Sequence, residues 1–193
     1  DYIKYVQLIL YKYKQKRYIC KNNYNYKRIN LIKRIFPNSF FLIPIRDPYL
    51  TSLSLLNQHR KFAILHKKNI FIREYMKWLG HFEFGLDHKS WFESKKYFNL
   101  ESINYWLEQW FFFHNNILKN FGNVENLVFI EHQKLKLKQY SSKILKILNL
   151  KSKKEFSFFN VKKEKIQSLD LVLYKKCKIL EKKLLKKSEI YFR

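Results

Sequence analysis

The chain has 193 residues, 47% of them hydrophobic, which suits one domain with a real core and excludes wholesale disorder. Its formal charge is +25, from 40 Lys and Arg against 15 Asp and Glu, yet only seven of the basic residues are arginine and Ala63 is the one alanine. Few Ala, Gly and Pro beside much Lys, Asn, Ile, Tyr and Phe is what an AT-rich coding sequence yields, so the charge implies general anion affinity on a solvated lysine surface, not a dedicated nucleic-acid groove.

No RNP-like motif, zinc-finger spacing or G-x-x-G loop supports a nucleic-acid module. The longest apolar runs, such as Phe40 to Ile45 and Trp110 to Phe113, are far too short to cross a bilayer, and no signal-peptide pattern opens the chain. Cys20 and Cys177 lack metal-ligand spacing and are too few for a disulfide framework, which suits buried or incidental thiols in a reducing, cytoplasmic compartment.

In chain order, Tyr2, Ile3, Val6, Ile9, Leu10 and Tyr13 recur at helical steps and predict an amphipathic helix. Lys16 to Cys20 is a strand candidate, and Tyr24 to Phe36 is predicted helical until Phe36-Pro37-Asn38 breaks it. Ser39 to Ile45 is a continuous apolar run, expected to be a parallel strand buried on both faces. Asp47 as N-cap and Pro48 in the first turn open a helix to about His66. Gly80 and Gly85 flank the irregular stretch GHFEFGLDHKSW. A strong helix is predicted from Ser102 to Phe121, stopped by Gly122-Asn123, with Trp106 and Trp110 read as core. Leu127 to Ile130 is a third strand candidate, Tyr140 to Leu148 and Leu169 to Lys187 are closing helices, and Lys151 to Lys165 is a charged excursion. Three strands alternating with helices predict an α/β layer architecture, a parallel sheet flanked by helices, in one domain spanning residues 1–193.

The junction FFLIPIRDPYLTSLS carries the chemistry. In open parallel sheets ligands bind beyond the carboxyl ends of the strands, where Arg46 stands. Arginine grips phosphate oxygens with a planar fork of donors, and the helix opened by Asp47-Pro48 favours anions at its start. Ser54 lies two turns along that helix, so its hydroxyl and Arg46 are candidates to share one anion. The competing reading is that Arg46 pairs with Asp47 or caps a sheet edge.

The block from Ile19 to Arg60, with its Phe-Pro-Asn-Ser, apolar strand, Arg-Asp-Pro and Ser at the eighth position after the Arg, resembles the sulfotransferases that use 3′-phosphoadenosine 5′-phosphosulfate (PAPS). The segment from Met76 to Phe92 looks like part of a bacterial branch of that family, and YWLEQW and LVFIEHQKL look like its downstream helix and strand. The resemblance covers about residues 15 to 150 and implies a P-loop-nucleotide-hydrolase-like fold. It implies sulfuryl transfer from PAPS to a hydroxyl or amine of a small molecule, carbohydrate or peptide, without a metal. By the same resemblance Arg46 and Ser54 hold the 3′-phosphate and Lys21 stands near the transferring group. No glycine-bearing 5′-phosphosulfate loop occurs in the sequence, so the chain is expected to be a fragment missing its N-terminal strand and loop.

Sulfuryl transfer needs cations at the leaving bridging oxygen and a base for the acceptor proton. Asn23 stands where the cytosolic branch has a histidine, and an amide is no base at neutral pH. The base is then a carboxylate from the missing segment or a histidine from elsewhere. His81, Glu83, Asp87 and His88 crowd the Gly-flanked loop: the two histidines are candidates for catalysis and the two carboxylates for acceptor contact, and their spacing matches no standard metal set. A non-catalytic nucleotide-binding relative and a basic nucleic-acid-binding module are the alternatives.

Overall fold

The computed structural model describes residues 1–151 and 168–192, in two compact units, residues 1–41 and 42–193. In the first, α1 (Tyr2–Lys12) forms where the apolar spacing predicts it, but Val6 is its buried residue, while Tyr5, Leu8 and Tyr11 face solvent. About forty residues have too little interior to cover a whole apolar face. The predicted helix from Tyr24 divides into a 3-10 stretch (Asn23–Arg28) and α2 (Ile29–Ile35). The Asn22 side chain accepts the Tyr24 N–H at 2.8 Å, a local bond that competes with a regular α-helical start.

Lys16 to Cys20 is not a strand, a correction to the three-strand expectation. A strand exists only where a neighbour takes its N–H and C=O groups, and the first unit contains no other extended element to do so. Ile19 is left 77% exposed.

The second unit is mixed α/β. Among the described residues it holds a two-stranded parallel sheet, β1 (Phe41–Ile45) beside β2 (Leu127–Glu131), with helices around it. Between the strands run α3 (Pro48–Lys68), α4 (Ile70–Trp78) and α5 (Ile103–Phe121). A 3-10 turn (His132–Lys136), α6 (Lys138–Ile147) and α7 (Leu171–Phe192) follow β2. Burial on both faces holds for β2 but not for β1, where Leu42 and Pro44 are exposed and only Ile45 is buried. Pro44 has no N–H to donate, as befits a strand at a sheet edge.

The core lies where α3 and α5 meet: Leu53, Leu56, Ile103, Tyr105 and Trp106 are buried together. Trp106 and Trp110 are core residues, and the Trp106 indole N–H donates to the Leu100 carbonyl at 2.9 Å. Cys177, Leu180, Leu184 and Ser188 at helical spacing form the inner side of α7. Val128, Ile130 and Ile144 make a second cluster between β2 and α6. The sequence reading passed over α4. Only Asn69 separates it from α3, capping its start by accepting the Ile72 N–H at 3.2 Å, and it has no fully buried residue to mark a core face. Among the described residues no helix is long and apolar enough to cross a membrane. Apart from Lys151, the charged excursion read at Lys151 to Lys165 lies outside the described residues.

Candidate anion site at the strand ends

Because β1 and β2 run parallel, both chains leave the sheet at the same edge, Arg46 after β1 and His132 after β2. Asp47 caps α3 as expected: its Oδ1 accepts the Leu50 N–H at 2.9 Å and its backbone carbonyl accepts the Thr51 hydroxyl at 2.8 Å. Its second oxygen receives Lys178 from α7 at 3.1 Å, and the same ammonium bonds Glu181. Asp47 is therefore occupied by the cap and by Lys178 and forms no ion pair with Arg46.

The Arg46 guanidinium keeps one nitrogen, Nη2, fully buried with no hydrogen-bond partner among the described residues. Its charge reaches His132, whose pKa lies below the ordinary histidine value because of burial first, then the positive charges of Arg46 and Lys136. Three basic groups thus gather at the carboxyl edge of the sheet. His132 was missed by the sequence reading, although its position directly after a strand ending in Glu131 was visible. Glu131 itself pairs with Lys134 at 2.7 Å, three residues on.

Ser54 is on α3 but exposed, on the face turned away from the buried Ser52, Leu56 and His59, and no hydrogen bond links it to Arg46. The neighbouring hydroxyl of Ser52 is buried and spent on the Pro48 carbonyl at 2.7 Å. A hollow of about 320 Å³ lies beside the end of β2, lined by Glu131, Lys134, Tyr140, Lys143 and Ser188 among others. Neither Arg46 nor Ser54 lines it. Lys21 is exposed and belongs to the first unit.

The candidates in the Gly-flanked loop have mostly structural partners. Asp87 holds Arg73 of α4 by two bonds of 2.7 and 2.8 Å, and the Arg73 guanidinium keeps its carboxyl below the usual range. The His88 Nδ1 bonds the Glu83 carbonyl at 2.7 Å and its Nε2 meets the Tyr105 hydroxyl at 2.7 Å. Burial depresses the His88 pKa. His81 is half exposed, with its Nδ1 3.5 Å from the Glu83 carboxylate. Two buried histidines of α3, to which the sequence assigned no site role, bond the backbone of the loop. The His59 Nδ1 accepts the Gly85 N–H and the His66 Nδ1 accepts the Leu86 N–H, both at 3.3 Å. A ring nitrogen accepts only while it carries no proton, and burial lowers the His59 pKa, which favours its neutral, accepting form. Among the described residues no three His, Cys, Asp or Glu side chains converge as a metal site would need.

No protein-family model matches this chain, and neither a curated protein nor a solved structure matches it significantly.

Proposed function

We propose that the chain binds a phosphate of an adenosine nucleotide through Arg46, as part of a PAPS-dependent sulfotransferase of P-loop-nucleotide-hydrolase-like topology. The observation that carries this reading is the buried, partnerless Arg46 Nη2 beside a capped helix at the carboxyl edge of a parallel sheet. A buried donor without an acceptor costs about 1–3 kcal/mol, and a ligand oxygen bonded there removes that cost. Asp47, the nearest carboxylate in sequence, is engaged by Lys178, which leaves the guanidinium for an outside anion.

The proposal concerns the 3′-phosphate end of the donor, since the sequence has no glycine-bearing loop for its 5′-phosphosulfate. Arg46 supplies a fixed cation, and Ser54 joins it only through a ligand oxygen that bridges the two. The donor, when bound, supplies the sulfuryl group and a leaving nucleotide. Of the loop candidates, His81 is the one whose imidazole is open to solvent and steered by a carboxylate, Glu83, so acceptor deprotonation is assigned to it. His88 and Asp87 hold the loop in shape. A reducing, cytoplasmic setting belongs to the same proposal.

The test follows the His132 ring by NMR while adenosine 3′,5′-bisphosphate is added at low salt. A bound anion offsets the positive charges of Arg46 and Lys136, so the His132 pKa is expected to rise. Charge-assisted bonds contribute about 1.5–3 kcal/mol, so Arg46→Ala is expected to weaken binding about tenfold or more. Equal affinity in Arg46→Ala removes Arg46 from the site. Displacement of the nucleotide by duplex DNA, with affinity falling steeply in salt, favours the nucleic-acid alternative. Binding without sulfuryl transfer to any acceptor favours the non-catalytic one.

A further inference from the structure

Helix α4 presents its aromatic residues to solvent. Phe71, Tyr75 and Trp78, at positions i, i+4 and i+7, form a continuous row, with ring centroids 5.8 Å apart between the first two and 6.2 Å between the last two. They are 71%, 46% and 81% exposed, and Ile70 and Leu79 extend the apolar strip at either end. The other side of the helix is committed inward. The Met76 sulfur lies 3.2 Å from the His66 Nε2, and Arg73 is clamped by Asp87. The exposure of the rings is therefore fixed by how α4 is anchored.

The charge around the strip selects its occupant. Lys67 and Lys68, in the last turn of α3, are exposed and carry no ion pair among the described residues, while Lys77 is shared between Glu74 and Asp87. The whole chain carries +25, so a second copy is repelled and a negatively charged surface is attracted. An aromatic row about 10 Å long beside a lysine pair matches the boundary between acyl chains and acidic headgroups. We propose that α4 docks the protein in-plane on membranes containing anionic lipid, with Phe71, Tyr75 and Trp78 entering the headgroup boundary and Lys67 and Lys68 meeting lipid phosphates and carboxylates. The inference is independent of the nucleotide site.

Because bulk charge alone attracts the protein to acidic vesicles, the test varies the rings and leaves the charge unchanged. Co-sedimentation is measured with vesicles of phosphatidylcholine alone and of phosphatidylcholine mixed with phosphatidylserine, the latter also with brominated acyl chains that quench inserted tryptophan. Binding is expected only with phosphatidylserine. Trp78→Ser is expected to lower partitioning about tenfold and to abolish most of the quenching, the combined Phe71→Ser, Tyr75→Ser, Trp78→Ser variant about a hundredfold. Leu8→Ser with Tyr11→Ser, on α1, serves as the exposed apolar control and is expected to bind as the parent does. Circular dichroism of each variant checks that the helices are retained. Equal binding by the triple variant shows attraction by charge alone and overturns the proposal. So does failure of the parent to bind, or concentration-dependent self-association that the triple variant abolishes.

Discussion

A single methyl group at Gly85 tests the anchored loop. This residue has φ +84°, and an L-residue held in the left-handed region costs about 1–2 kcal/mol. The added Cβ also stands 2.5 Å from the His66 Cε1 and 2.6 Å from its Nδ1, where carbon contacts settle near about 3.5–4 Å. The ring must retreat by about 1 Å, and that retreat breaks the bond from the Leu86 N–H, worth about 1 kcal/mol. Gly85→Ala is therefore expected to destabilise the fold by about 2–3 kcal/mol in urea unfolding followed by far-UV circular dichroism. For a chain of this size that lowers the melting midpoint by about 4–12 °C. In a His66→Ala background the overlap disappears and only the backbone cost remains. The double-mutant cycle should then show a coupling of about 1 kcal/mol or more. A cost below about 1 kcal/mol, or the same cost in both backgrounds, refutes the geometry of the loop.

Two further expectations concern buried titrating groups. His114 is buried, its Nδ1 bonded to the Trp110 carbonyl at 2.9 Å and its ring stacked on the Trp110 indole at 4.1 Å; burial brings its pKa down to about 4. In the unfolded chain it titrates near about 6.5, so its stabilisation is fully present above that pH and is lost as pH falls towards 4, about 3 kcal/mol in all. His59 and His88 shift in the same direction. His114→Phe should flatten the acid limb of a plot of urea midpoint against pH, and an unchanged slope contradicts the burial. Cys177 is buried with its thiol pushed up to about 12, whereas Cys20 is exposed. An aromatic disulfide reagent near neutral pH should modify Cys20 promptly and Cys177 only on unfolding. Two equal reaction rates contradict the packing of α7 on α5.

Much of the second unit was legible because local signals and burial agree there. Asp47-Pro48 and Ser102 opened helices where expected, and the Trp106 and Trp110 spacing placed two rings in the core. The failures have specific causes. The Lys16 to Cys20 segment has strand-like residues but no strand beside it, and a hydrogen-bonded ladder needs two partners. Helix α4 escaped notice because most of its apolar residues face outward and none is fully buried, so its pattern does not report a core.

The candidate site divides along the same line. Residue order alone placed Arg46 at a strand end and Asp47 at a helix start, since both follow from backbone geometry within a few residues. Which partner each charge takes depends on chain segments far apart in sequence. Lys178 comes from α7 to occupy Asp47, and His132 arrives from the end of β2 to share the field of Arg46. Arg73 takes Asp87, and two histidines of α3 accept backbone N–H groups of the glycine loop. Local propensity is set by neighbours along the chain and is readable there. Charge pairing and desolvation depend on distances through space, and only the packed tertiary structure determines them.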